Sequence, residues 1–135
     1  MTPSLRSYLF DAGVFALYFA GTTEVKPYFD RVSSGRASGA VSDVNLAEFY
    51  YRTGQKFGLQ TADARLGLIR NSRIESIPTD GKAVVSAGRW KLKRPGLSLA
   101  DCFAMAALES SAEVLLTTDT GLKEAAKSKA VLFGI

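Results

Sequence analysis

Apolar and polar positions follow two alternating periods along this chain, and the switches between them mark out the elements. Leu5-Arg6-Ser7-Tyr8-Leu9-Phe10 is a short strand pattern that stops at Asp11. Ala12–Ala20 is apolar at helical spacing, and Gly21-Thr22-Thr23 punctuates it. Glu24–Val32 is a second helical piece, with Pro27 suited to its first turn. Ser33–Gly39 has loop composition, and Ala40-Val41-Ser42 is a brief strand. Asp43 is the expected cap of a helix from Val44 to about Thr53, and Thr61 the expected cap of a helix over Gln60–Asn71. Arg73–Ile77 alternates as a strand and ends at Pro78, after which Thr79 or Asp80 caps a helix through about Ala87. Lys91–Gly96 is a basic connector. Ser98 caps a strongly apolar helix over Leu99–Leu108, Val114–Thr117 is a buried type of strand, Thr120–Lys127 is a short helix, and Val131–Phe133 is a last strand. Strands alternating with helices predict an α/β fold in one domain spanning 1–135, with a mostly parallel central sheet of four to five strands flanked by helices.

Against that frame most acidic residues sit where acids commonly sit, and four do not. Asp11 directly follows the strand Tyr8-Leu9-Phe10; in parallel sheets, binding groups gather at the carboxyl ends of strands, although a helix cap would also use an aspartate here. Glu48 shares one helix face with Val44 and Tyr51, which makes it the charged member of an otherwise less polar stripe. A tilted helix that leaves it in solvent is the alternative. Asp101 lies in the first turn of a helix apolar on all sides, where backbone N–H groups and the dipole favour negative charge. With Ser98 in the capping position, Asp101 is not required as a cap. Asp119 ends the strand Val114–Thr118, and it too can be read as the cap of the next helix. If the sheet gathers all four, they cannot all stay ionised without a counter-charge. Oxygen-only ligands suit Mg²⁺ or Mn²⁺.

Composition narrows the chemistry. The 135 residues contain no histidine and one cysteine, Cys102. Ser-His-Asp and Cys-His mechanisms and imidazole zinc sites are therefore excluded, and no intrachain disulfide can form. No run approaches a membrane span, and a soluble cytoplasmic protein is expected. The net charge of +4 permits a polyanionic partner without requiring one.

The segments Leu9-Phe10-Asp11-Ala12-Gly13-Val14, Val41-Ser42-Asp43-Val44-Asn45-Leu46-Ala47-Glu48, Leu97-Ser98-Leu99-Ala100-Asp101 and Leu115-Leu116-Thr117-Thr118-Asp119 occur in an order that resembles the PIN domain, and within it the VapC-type toxin ribonucleases. The resemblance spans nearly the whole chain. Each motif is short, and the set of four is the specific signal. It implies a three-layer sandwich with an acidic pocket at the carboxyl ends of the strands. It implies Mg²⁺- or Mn²⁺-dependent RNA cleavage, with Asp11, Glu48, Asp101 and Asp119 at the family's acidic positions and Thr117 at a hydroxyl position that helps orient water. It further implies a homodimer and an antitoxin partner that blocks the pocket.

RNA must be attracted to such a pocket by cations. Arg89-Trp90-Lys91-Leu92-Lys93-Arg94, in which Arg89, Trp90, Lys91, Lys93 and Arg94 interleave positive charge with one aromatic, is the expected contact, with a solvated helix end as the alternative. Two other functional classes stay in view. One is a PIN-like partner-binding module without nuclease activity. The other is a phosphoacceptor domain, which would want paired acids after the first strand, where this chain has Asp11 alone.

Overall fold

The computed structural model describes residues 5–134. Five parallel strands form the sheet: β1 (Arg6–Phe10), β2 (Ala37–Ser42), β3 (Ile74–Ile77), β4 (Val114–Thr117) and β5 (Ala130–Leu132), in the order β3-β2-β1-β4-β5. Seven α-helices connect them: α1 (Ala12–Phe19), α2 (Lys26–Ser33), α3 (Asp43–Phe57), α4 (Leu59–Arg70), α5 (Gly81–Lys93), α6 (Leu99–Ser111) and α7 (Thr120–Ala126). The expected α/β architecture is the observed one, with helices on both faces of an all-parallel sheet.

Strand alternation divides the core in two. Tyr8 and Phe10 of β1 point to one side with Val41, Ile74 and Leu116, and they pack against Phe15, Phe29, Leu46, Phe49 and Ile69 from α1–α4. Leu9 and Leu115 point to the other side, against Cys102, Ala104, Met105 and Leu108 of α6 and Leu122 of α7. Ala104, Ala106 and Ala107 are all buried on α6, so that helix presents little side-chain bulk where it packs.

Several boundaries differ from the sequence reading, each for a local reason. β2 begins at Ala37, inside the expected Ser33–Gly39 loop. Its small residues fit beside bulk: a Cβ at Gly39 would lie 3.0 Å from Phe10 Cε2 and 3.1 Å from Val32 Cγ2. Ser42, not Asp43, caps α3, because its backbone is extended and its Oγ accepts from Asn45 N at 3.1 Å. α3 continues past Thr53 to Phe57. α4 starts at Leu59 after Gly58, with no side-chain cap, so Thr61 plays no such part. Asp80 caps α5, which runs through Lys93 and so absorbs the first half of the expected basic connector.

The strand order fixes where a site can form. From β1 the chain builds outward through β2 and β3, then returns to place β4 on β1's other side. The crevice beyond the carboxyl ends of β1 and β4 is the topological switch point, where open α/β sheets bind ligands.

Candidate active site

Asp11 and Asp119 follow the two strands that flank this crevice. Asp11 N donates to Leu116 O at 3.0 Å, prolonging the β1–β4 ladder by one bond before the chain turns into α1. Asp11 caps that helix, with Oδ1 accepting from Ala12 N at 2.7 Å. Its other oxygen, Oδ2, accepts from Thr117 Oγ1 at 2.7 Å, and that same hydroxyl accepts from Asp119 N at 3.0 Å. Thr117 is wholly buried, so its one hydroxyl fixes the spacing between the two acidic loops. Asp119 in turn caps α7, accepting from Leu122 N at 3.0 Å.

Asp101 is the third residue of α6. Ser98 Oγ accepts from Asp101 N at 3.1 Å, while Asp101 Oδ2 accepts from Ser98 N at 3.4 Å, a reciprocal capping box. The expectation that Ser98 relieves Asp101 of any capping part is thus corrected. Three helix starts, those of α1, α6 and α7, carry three of the acids, and both the capping and the clustering readings hold together.

Glu48 reaches the crevice from the middle of α3. Its side chain is 16% exposed, and Oε2 lies 3.1 Å from Arg52 Nη2 one turn later. A residue not singled out from the sequence holds this helix to α6. Buried Asn45 accepts from Ser42 Oγ at 2.5 Å and donates from Nδ2 to Ala100 O at 3.2 Å. Asn45 thereby ties the helix bearing Glu48 to the peptide beside Asp101. An asparagine at 1% exposure one turn before Glu48 is explained only by such a bridge.

All four acids, with Gly13, Arg52, Leu97, Ser98 and Gly121, line one cleft of about 530 Å³. Every one of them repels the other three. Burial, above all, raises the Asp11 and Glu48 carboxyls over their ordinary values. Burial, then the charges of Asp119 and Asp11, push Asp101 up to about 6. Four carboxylates face a single lining cation, Arg52.

Among the described residues, no three Asp, Glu or Cys side chains already stand in ligating geometry. The donor set nevertheless fits a hard cation. It is oxygen throughout, carries excess negative charge, and lines a cleft roomy enough for a cation that keeps part of its water shell. Asp119 uses Oδ1 on its cap and Glu48 uses Oε2 on Arg52, which leaves a second oxygen on each.

Most of the basic run faces away from this cleft. Arg89, Trp90 and Lys93 line a different cavity, with Lys82 and Glu109, that shares no residue with the acidic cleft. Trp90 Nε1 donates to Glu109 Oε1. Lys91, itself exposed, bends over the following loop, its ammonium donating to Pro95 O at 2.8 Å and Leu97 O at 2.6 Å, so that it braces the loop leading to Ser98. Arg94 is half-buried just past the end of α5.

No curated protein matches the chain in sequence. Among solved structures, it resembles a toxin–antitoxin complex from Klebsiella pneumoniae (TM-score 0.71, 18% identity, 95% of this chain and 99% of that one). It is similar to VapBC2 from Rickettsia felis bound to a DNA fragment from its promoter (TM-score 0.70, 18% identity, 95% and 98%). It is also similar to VapC20 from Mycobacterium tuberculosis, a sarcin–ricin loop cleaving toxin (TM-score 0.70, 16% identity, 87% and 94%). At these identities the likeness is one of fold. A model of the PIN domain matches residues 8–128. With nine-tenths of its length inside that match, the chain belongs to the PIN-domain family.

Proposed function

We propose that this protein is a divalent-metal-dependent endoribonuclease that hydrolyses RNA phosphodiester bonds, and that it is the toxin of a type II toxin–antitoxin pair. The observation that carries the nuclease reading is the meeting of Asp11, Glu48, Asp101 and Asp119 in one cleft at the switch point of the sheet. The toxin reading draws support from the fold shared with VapBC complexes and a sarcin–ricin loop cleaving toxin. On the same grounds an antitoxin and a second copy of the chain are its expected partners, and the cytoplasm its expected place.

Asp11, Glu48, Asp101 and Asp119 are the groups that would hold Mg²⁺ or Mn²⁺. When bound, such a cation offsets their mutual repulsion, polarises a phosphate oxygen and acidifies water. Within the chain, Thr117 locks the orientation of the Asp11 carboxylate, and Asn45 holds Glu48's helix against Asp101's. The raised Asp101 carboxyl surrenders its proton more readily when a positive charge takes up the site. Arg52, on the cleft wall, is placed to meet a phosphate. The chain has no histidine, so proton acceptance in this cleft falls to carboxylates.

The test is cleavage of an end-labelled RNA with Mn²⁺ by the wild type and by Asp101→Asn, in preparations cleared of contaminating nuclease. We expect loss of at least about a hundredfold in rate for the variant; equal rates would defeat the assignment. Calorimetric titration with Mn²⁺ separates this reading from a partner-binding module, which has no need of the ion.

A further inference from the structure

The acidic cleft shares two lining residues, Gly13 and Arg52, with a second, neighbouring cavity of about 170 Å³. One wall is the small-residue face of α1, where Ala12, Ala16 and Ala20 recur every fourth position beside Gly13. The opposite wall is the end of α3, with Arg52, Lys56 and Phe57, and Arg65 comes from α4. Gly58 alone joins those two helices, at a φ of +94° that favours glycine. Among the described residues, no acidic one lines this groove.

The side chains there are arranged around one ring. Phe57 is 51% exposed. The Arg65 guanidinium lies 4.6 Å from its centroid and 5.1 Å from that of Phe19, and Lys56 Nζ lies 5.3 Å from the Phe57 ring. Among the described residues the ion pairs are Lys26–Asp30 and Arg52–Glu48, so Lys56 and Arg65 have no carboxylate partner. The cation–π contacts hold the ring in place, yet they leave it half exposed and leave both cations without a carboxylate. It suits a ligand that brings both a flat π-face and negative charge. An unstacked nucleotide does so, because bases stack on aromatic and guanidinium planes while phosphates pair with Lys and Arg. An acidic polypeptide without aromatic residues matches the charge but has nothing to set on the ring.

We propose that the α1–α3–α4 groove binds single-stranded RNA on its way to the acidic cleft, with an unstacked base on Phe57 and Arg65 and neighbouring phosphates on Lys56 and Arg52. This rests on reading the cleft as a ribonuclease site, and it assigns to the groove the substrate contact that the sequence suggested for Arg89–Arg94.

The test is fluorescence anisotropy with a labelled, mixed-sequence single-stranded oligoribonucleotide in EDTA, so that binding is measured without cleavage. Lys56→Glu with Arg65→Glu should weaken binding at least about tenfold and flatten the log–log salt slope by about 0.7, the loss of the single-strand phosphate contact at Lys56. Phe57→Leu should weaken it about tenfold while Phe57→Trp keeps it, with unchanged circular dichroism for both. Charge reversal at Lys82, Arg89 and Lys93 should leave affinity within about twofold of the wild type. Wild-type affinity in the groove variants overturns the proposal, as does a larger loss from the Lys82, Arg89 and Lys93 reversal, or a wild type that binds no RNA. Polyglutamate that competes fully and ignores Phe57→Leu assigns the groove to an acidic protein instead. Failure to cleave RNA defeats the nuclease reading by a separate readout, whereas cleavage alongside unaffected binding in the variants sinks the groove alone.

Discussion

Gly13 sits one residue into α1, two residues after Asp11, and there the structure is tight enough to set the sign of a single methyl group. A Cβ at position 13 would lie 2.1 Å from Thr118 Oγ1 and 3.2 Å from both Thr118 Cβ and Cγ2. Ordinary non-bonded separation is about 3.5 Å, so the hydroxyl must retreat by more than about 1 Å. Rotation about χ1 can remove the oxygen, but Thr118 Cβ does not move with χ1, and a few tenths of an ångström must still come from the backbone. Overpacking of this kind costs about 1–3 kcal/mol, and alanine in a helix returns about 0.5–1 kcal/mol over glycine. Gly13→Ala should therefore lower stability by about 1 kcal/mol, where an open helical glycine would show a gain. Thr118 precedes Asp119, so the yielding segment also carries an acid away from Asp11, and Mn²⁺ affinity should fall with stability. Urea denaturation of Gly13→Ala, Thr118→Ala and the double variant closes the cycle. Thr118→Ala removes both branch atoms, so the coupling should be at least about 1 kcal/mol in the restoring direction. A Gly13→Ala protein as stable as the wild type, with additive single effects, would refute the reasoning.

Thr117→Val keeps the shape of the side chain but removes the donor to Asp11 and the acceptor for Asp119 N; we expect a loss of about 2–4 kcal/mol in urea denaturation, mostly recovered by Thr117→Ser, and a loss within 0.5 kcal/mol would remove Thr117 from its linking part. The raised Asp101 carboxyl makes the metal-free native state hold a proton that the unfolded chain has released, so its contribution is full below the ordinary value of 3.8 and is lost as pH rises through about 6. The stability of the wild type relative to Asp101→Asn should thus decline between about pH 4 and 6.5 in EDTA and level off above. Thermal melts giving a constant difference across that window would contradict the burial of this carboxyl. Added Mn²⁺ at pH 7.5 should raise the wild-type midpoint, and should do so less in Asp101→Asn.

The gathering of the acids was legible because charge interrupts apolar runs at sheet-coupled places: Asp11 at the end of β1, Asp119 just beyond β4, Asp101 within an otherwise apolar helix. What escaped was whatever depends on neighbours brought together by folding. Ala37–Gly39 reads as a loop by composition and becomes a strand because Phe10 and Val32 need small partners beside them. The run Arg89–Arg94 reads as one patch, but a helix turns about 100° per residue, so Lys91 faces the Pro95–Leu97 loop while Arg89, Trp90 and Lys93 share another side. Arg52, Lys56, Phe57 and Arg65 carry no joint signal in sequence because the reversal at Gly58 alone sets α3 and α4 side by side. Asn45 escaped for the same reason, its partner Ala100 lying 55 positions away.

The double duty of Asp11, Asp101 and Asp119 has a practical consequence for anyone dissecting this protein. Alanine at any of them deletes a helix-starting acceptor along with the negative charge, and about 0.5–2 kcal/mol of folding energy goes with it. An inactive alanine variant would then be uninformative, because misfolding and lost chemistry give the same blank lane. Asparagine keeps an acceptor oxygen at the cap and discards the ionisable group, although at Asp11 it also replaces the second oxygen, which accepts from Thr117, with an amide nitrogen. A scan made with amides in place of alanines separates architecture from catalysis, and Glu48, which caps nothing, is the one acid of the four where either substitution asks the same question.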